Sequence, residues 1–227
     1  NVVLPVGTSV GIPGALDGTS AVWIAHVIAQ LTSTTFQVIE AAPEAVSSVT
    51  ATFGPWEAGV VHAVIDCDND VAQGIRWDTA TRGLIRDVEI RNPTNSAISL
   101  QGGAAFNRVD SVGIVNPEQH GMLLFRGAYR NVCTDIDITA IEPTGYGFYI
   151  DDRTATANDW DNECRWNRLR GLSVSTAGGV NASAALTING SHNTAADIQS
   201  DGTRNAVWFT QGTVEQSPQR PSHHNSV

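Results

Sequence analysis

The stretch NRVDSVGIVN, which starts at Asn107, recurs along the chain in modified form. NVCTDIDITA at Asn131, NRLRGLSVST at Asn167 and NTAADIQSDG at Asn193 also begin with Asn, and GLIRDVEIRN at Gly83 begins with Gly instead. Successive starts are separated by 24, 24, 36 and 26 residues. A period of this length is typical of a β-solenoid with one coil per repeat and is too long for a hairpin repeat.

The residues two, five and seven places after each start are mostly apolar, and those between them are mostly polar or small. This alternation is typical of a strand with one buried face, so we expect the apolar positions to point inward. They are Ile85, Val88 and Ile90; Val109, Val112 and Ile114; Cys133, Ile136 and Ile138; Leu169, Leu172 and Val174; and Ala195, Ile198 and Ser200.

Each repeat contains a second short apolar strand, usually after a small residue. Several coils are needed before such strands enclose a continuous core. No segment between residues 60 and 212 has the apolar spacing of an amphipathic helix, which also favours an all-β solenoid. The inward pairs predicted for the second strands are Ile75 and Trp77, Ile98 and Leu100, Met122 and Leu124, Phe148 and Ile150, Leu186 and Ile188, and Val207 and Phe209.

We expect the repeated Asn residues to be structural. An Asn side chain at a sharp turn can bond its own backbone and the equivalent Asn of the next coil.

On these repeats the chain resembles the right-handed parallel β-helix of the pectate-lyase-like superfamily, particularly the forms found in phage tail spikes and other virion appendages. The resemblance covers about residues 60–212. It implies an all-β, right-handed parallel β-helix over residues 61–212, with an N-terminal attachment or capping segment at 1–60 and an extended C-terminal tail at 213–227. Lyases, hydrolases, epimerases and inert stalks share this scaffold, so the resemblance selects no activity.

The N-terminal segment does not follow the repeat. In SAVWIAHVIAQL, Ser20 is placed to cap a short helix, and such a helix would cover the open end of the solenoid. The residues expected on one face of this helix are Ile24, Val27, Ile28 and Leu31. The β-branched residues leave a strand as the alternative. Because the chain begins with Asn1 instead of Met, we expect it to be part of a longer product.

Composition restricts the classes of partner. The formal net charge of −10 argues against nucleic-acid binding through a general phosphate field, and all 13 basic residues are Arg, a bias typical of a GC-rich genome. The sequence has no apolar span long enough to predict a membrane partner. Three Cys residues without C-x-x-C spacing indicate neither a zinc site nor a disulfide framework.

The long step between Asn131 and Asn167 contains the acidic insertion DDRTATANDWDNECRW. Carboxylates beside an aromatic surface are the groups that glycoside hydrolysis uses, so this insertion is the candidate site for a polysaccharide lyase or hydrolase. The alternative is an acidic solvated loop whose Trp residues pack against a coil or a neighbouring subunit. The candidate catalytic residues are Asp151, Asp152, Asp159, Asp161 and Glu163, next to Trp160 and Trp166.

Three large residues, Leu123, Tyr149 and Trp208, are predicted to lie in one outward row of the second strands. A monomer rarely exposes such a row, so it favours a subunit interface, most simply in a homotrimer, or a glycan-binding surface that also includes Trp160 and Trp166.

A D-x-D-x-D run, Asp66, Asp68 and Asp70, is the candidate for Ca²⁺, but it lacks the Gly and the terminal Glu of an EF-hand loop. We therefore expect no cofactor. Together, these features predict a structural or host-attachment protein of a phage-like virion, located in the virion or outside the cell. Its expected partners are other virion proteins or a cell-surface polysaccharide, and the alternative is a depolymerase.

Overall fold

The structure is a computed structural model that describes residues 57–151, 164–177, 182–209 and 225–227 in full, and four strands nearer the N terminus by their backbone. All regular elements in these residues are β-strands, which confirms the all-β class. The described part of the chain contains no helix that is long and apolar enough to cross a membrane.

The repeats form a parallel β-helix with two six-stranded sheets. The strands of the two sheets alternate along the chain. The first sheet contains β5 (Gly59–Asp66), β7 (Leu84–Arg91), β9 (Arg108–Val115), β11 (Val132–Ile141), β13 (Arg168–Thr176) and β15 (Thr194–Asp201). The second contains β6 (Gln73–Asp78), β8 (Ser96–Gln101), β10 (His120–Phe125), β12 (Tyr146–Asp151), β14 (Ala182–Ile188) and β16 (Thr203–Phe209).

Equivalent residues of successive repeats lie side by side. Val109, for example, pairs with Ile85 in the preceding coil and with Cys133 in the following one. This register confirms the sequence alignment of the repeats. It also stacks each apolar position on its equivalents, which makes the core continuous along the solenoid.

The predicted inward residues form this core, except Ser200 and Phe209 in the last coil, which are exposed. Among its largest fully buried side chains are Phe148, Met122 and Ile138. The last coil is more open, since Val207 and Ile198 are half-buried and Phe209 is 49% exposed.

Each first-sheet strand bends at one left-handed residue, four places after the start of the repeat. In every pair of adjacent strands this residue has no partner in the strand register. Its side chain and that of the residue before it therefore both face outward. The bend explains the three-residue step between the first two inward positions, and the alternation is therefore not strictly of period two. The six residues have φ values between 51° and 70° and are His62, Asp87, Ser111, Asp135, Gly171 and Asp197.

The Asn ladder is structural, as predicted. Oδ1 of Asn131 accepts hydrogen bonds from the backbone N–H and from Nδ2 of Asn107, both at 3.0 Å, and its own Nδ2 donates to the carbonyl oxygen of Ala104 at 2.9 Å. Asn167 and Asn193 repeat this pattern. Each rung therefore holds its neighbour by buried amide hydrogen bonds.

Asn225 extends the ladder into the C-terminal tail. Its Oδ1 accepts a hydrogen bond from the backbone N–H of Asn193 at 2.7 Å, and its Nδ2 donates to the carbonyl oxygen of Gly190 at 2.8 Å. Ser226 pairs with Thr194 in parallel. Asn225 thus takes the position that the next Asn of the ladder would have, and Ser226 pairs with the last coil as the next repeat would.

The N-terminal strands form a separate antiparallel sheet in the order β3-β2-β1-β4. They are β1 (Ser9–Pro13), β2 (Val22–Gln30), β3 (Phe36–Val38) and β4 (Thr52–Phe53). The helix predicted between residues 20 and 31 was therefore wrong, and the alternative of a strand is confirmed. β-branched residues lose side-chain freedom in a helix and are favoured in strands, and the sequence of this segment contains four of them, Val22, Ile24, Val27 and Ile28.

Candidate functional site

The outward positions of the second sheet form one continuous row, as the sequence predicted. The row is paired through all six strands and contains Arg76, Ser99, Leu123, Tyr149, Thr187 and Trp208. Trp208 is 41% exposed, whereas Leu123 is half-buried and Tyr149 is buried outside the hydrophobic core cluster. The predicted row is thus present, but it is open to solvent mainly at Trp208 and Arg76.

Four rings on this side of the sheet contact one another. Tyr146 lies 4.9 Å from Tyr149 and 6.2 Å from Trp208 between ring centroids, and its ring is tilted by 29° from that of Trp208. His120 meets Tyr149 edge to face at 5.4 Å. These four residues, His120, Tyr146, Tyr149 and Trp208, are called the aromatic face.

Sequence reasoning missed two members of the aromatic face. His120 and Tyr146 open their strands and pair with each other across the sheet, three places before Leu123 and Tyr149. The available signal was an aromatic ring directly before the Gly of the second strand in two successive repeats, at Gly121 and Gly147.

The aromatic face has the chemistry of a sugar-binding platform. A ring presents a flat apolar surface, while Tyr, Trp and His also carry a polar group at the edge. Tyr149 is only 6% exposed and is held by its neighbours, so the platform is anchored in the sheet. Trp208, at the open end of the row, is the member most available to a ligand.

Two small polar residues interrupt the row. Ser99 and Thr187 are fully buried, and within the described part of the chain their hydroxyl oxygens have no hydrogen-bond partner. The outer side of the second sheet is therefore covered at these two positions.

Comparisons with protein-family models, curated proteins and solved structures found no match. The repeat geometry and the side chains at its surface are therefore the observations that bear on function.

Most of the acidic insertion lies outside the described residues. Asp152, Asp159, Trp160, Asp161 and Glu163 all fall in residues 152–163, so their roles stay predictions. Asp151 is described. It ends β12, is 3% exposed, and its carbonyl oxygen accepts a hydrogen bond from the Cys164 thiol at 3.3 Å.

Asp66 has a structural role in the candidate calcium run. Its carboxylate accepts a hydrogen bond from the backbone N–H of Asp68 at 3.0 Å and another from Nδ2 of Asn92 at 3.1 Å. These bonds lower the pKa of Asp66. Nδ2 of Asn116 donates to Asn92 at 3.1 Å, so Asp66 ends a second, short amide ladder.

Asp66, Asp68 and Asp70 are not brought together as a metal site. Within the described residues, no group of three His, Cys, Asp or Glu side chains is arranged to hold a metal ion. The Asp66 carboxylate is instead used to fix the turn that follows β5.

Trp166 does not belong to the aromatic face. It directly precedes the ladder residue Asn167, is 44% exposed, and stacks on His192 with the centroids 4.3 Å apart and the planes tilted by 23°. Trp166 and Trp208 were predicted to belong to one glycan-binding or interface group, but they lie on two different surfaces.

Proposed function

We propose that this chain is a β-helical structural or attachment protein of a phage-like virion that binds a cell-surface glycan through its aromatic face. The observation that supports this function most strongly is the set of four contacting rings, ending in the exposed Trp208, on the outer side of a continuous sheet. Trp208 is exposed and His120 and Tyr146 are half-buried, and aromatic rings that reach the surface together are typical of interaction surfaces.

The scaffold suits such a role. Binding groups on strands are held more exactly in place than groups on loops, so little ordering cost remains when a ligand docks. The paired strands β12, β14 and β16 carry Tyr149, Thr187 and Trp208 in one register. A glycan would stack on Trp208 and contact the polar edges of Tyr146 and His120.

We extend the proposal to a homotrimer. In this assembly the half-buried Leu123 would pack against the equivalent residues of two other copies, while Trp208, at the end of the row, stays available to the glycan. The partial exposure of Leu123 supports this assembly, because association would remove apolar surface from water. Size-exclusion chromatography with light scattering tests it, and a monomer at micromolar concentration would contradict it.

The glycan-binding function is tested by incubating the protein with capsular and lipopolysaccharide preparations from candidate host bacteria and measuring cosedimentation. Trp208→Ser should weaken binding about fivefold or more, since aromatic stacking on a ligand is worth about 1 kcal/mol or more. Phe209→Ser is the matched control: it lies next in the same strand with 49% exposure but belongs to the inward row. Equal binding by the wild type and Trp208→Ser would contradict the proposed surface.

The same incubation separates attachment from depolymerisation. An attachment protein leaves the glycan chain length unchanged, as measured by gel filtration of the polysaccharide. Shortened chains would favour the depolymerase, with Asp159→Ala and Asp161→Ala as the variants that should abolish the cleavage.

A further inference from the structure

A column of large side chains runs beside the Asn ladder, one residue before each ladder position. Its members all have left-handed backbone conformations, with φ between 50° and 62°. An L-residue with a bulky side chain adopts this conformation at an energetic cost, and Gly or Asn would fit with less strain. The column nevertheless contains Arg82, Phe106, Arg130, Trp166 and His192.

Part of this column lines an open groove of about 650 Å³, a volume typical of small-ligand sites. On the ladder side are Phe106, Arg130, Trp166 and His192, and on the strand side are Val132, Arg168 and Thr194. These seven residues define the corner groove.

The corner groove combines aromatic surface with positive charge. Trp166 stacks on His192 yet keeps 44% of its side chain exposed, and the Arg130 guanidinium lies 5.9 Å from the centre of the Phe106 ring. None of the described residues that line the groove is acidic. Apolar ring surface and guanidinium groups therefore face the same space.

Arg130 and Arg168 belong to the surface Arg residues that form no ion pair with a described residue, as do Arg126 and Arg204, but Arg130 and Arg168 line the same groove. In the described part of the chain neither has a carboxylate partner within salt-bridge distance, although both are exposed. By contrast, Arg108 pairs with Asp110 and Arg170 pairs with Asp197, both at 3.0 Å. Two unpaired guanidinium groups in a chain of net charge −10 mark a local site for an anion.

We propose that the corner groove binds an acidic saccharide unit, with its anionic group on Arg130 and Arg168 and its ring on Trp166. Guanidinium groups bind carboxylate and sulfate oxygens in paired hydrogen bonds, and an indole stacks on an apolar ring face. An inorganic anion would leave the aromatic surface unused, and a neutral sugar would leave the two charges unused. A nucleic acid is disfavoured by the overall negative charge of the chain.

This inference rests on the proposed glycan-binding function and specifies a second surface and a ligand class for it. The test is isothermal titration calorimetry of the full chain with three tetrasaccharides: one containing glucuronate, one sulfated and one neutral. We expect at least one acidic tetrasaccharide to bind, more weakly as salt is raised, and the neutral one to bind at least tenfold more weakly. The stronger of the two acidic ligands identifies the anion that the groove prefers.

Two variants locate the binding. Arg168→Gln and Trp166→Asn should each weaken it about tenfold or more, because each removes a charged or stacking contact, and Asn tolerates the left-handed backbone at position 166. The matched control is Arg170→Gln, two residues along the same strand, outside the groove and paired with Asp197. It should leave the affinity within twofold, and circular dichroism would check that all variants fold.

The inference is overturned if no acidic tetrasaccharide binds, if the neutral one binds equally well, or if Arg168→Gln has no more effect than Arg170→Gln. Its failure is distinguishable from failure of the proposed function. Loss of intact-polysaccharide binding in Trp208→Ser, with no effect of the groove variants, would retain the function and reject the groove. Tetrasaccharide binding in the groove, with no binding of intact surface polysaccharide, would retain the groove and reject the attachment function.

Discussion

Replacing Asn131 by Ala should strongly destabilise the solenoid, because this side chain joins three coils. Its Oδ1 accepts from the backbone N–H and from Nδ2 of Asn107, and its Nδ2 donates to Ala104 and Asn167, with all four distances between 2.9 and 3.0 Å. Asn131 has no solvent exposure, so water cannot replace these bonds without a rearrangement of the coil.

The expected loss of unfolding free energy depends on which hydrogen bonds the partners of Asn131 still make after the substitution. The backbone N–H of Asn107 loses its hydrogen-bond acceptor, at a cost of about 1–3 kcal/mol for an unsatisfied buried donor. The carbonyl oxygen of Ala104 still accepts from Tyr129, and the Asn107 and Asn167 amides each keep another bond. At about 0.5–1 kcal/mol for each of these three lost bonds, the total loss of unfolding free energy is about 2.5–6 kcal/mol.

Equilibrium unfolding in urea, followed by circular dichroism, measures this loss. Asn205→Ala is the control, because Asn205 is exposed and its side-chain amide donates only to the carbonyl oxygen of Ser183, at 3.1 Å. It should cost less than about 1 kcal/mol. If Asn131→Ala costs no more than Asn205→Ala, the ladder does not stabilise the fold in the way described.

Three further predictions follow from the interior and from one surface turn. A Cβ at Gly147 would lie 2.5 Å from the carbonyl oxygen of Ala185, so Gly147→Ala should cost about 1–3 kcal/mol. At Gly113 the nearest atom is 3.7 Å away, so Gly113→Ala should change stability by less than about 0.5 kcal/mol, and equal costs in urea unfolding would contradict the packing argument. Burial raises the pKa of Cys133 well above its ordinary value, so iodoacetamide at about pH 8 should label this thiol only after denaturation, and mass spectrometric detection of labelling in the native protein would refute this. Hydrogen bonds lower the pKa of Asp66 below 3.8, so its contribution to stability is present at neutral pH and is lost as the pH falls through its folded-state pKa. Asp66→Ala should therefore lower the thermal midpoint more at about pH 6 than at about pH 2, and a difference that does not depend on pH would show that the charge is unimportant.

The sequence predicted the interior of the solenoid because each inward position recurs in several coils. Stacked positions reinforce one another, so Ile98, Met122, Phe148 and Leu186 indicate the same buried row even though their side chains differ. The outward row from Arg76 to Trp208 was predictable by the same alignment, since its register follows from that of the inward neighbours.

Other features could not be predicted because they do not repeat in residue type or do not repeat at all. The N-terminal segment offered both a helical apolar face and β-branched residues, and strand pairing over Val22–Gln30 decided between them. The corner groove was missed because Phe106, Arg130 and Trp166 share a backbone conformation that no composition signal reveals. Asn225 was missed because only Ser226 and Val227 follow it, too few residues to show the repeat.

The Asn ladder spans steps of different length with the same geometry. The bond from the backbone N–H to the next Asn Oδ1 is 3.0 Å whether 24 residues separate the partners, as for Asn107 and Asn131, or 36, as for Asn131 and Asn167. The rise per coil is therefore independent of the length of chain in the coil. Recombination with junctions at ladder residues would exchange a whole coil and its loop in one event, while the neighbouring coils keep their amide contacts. A protein of this design can acquire a new recognition loop without redesigning its scaffold.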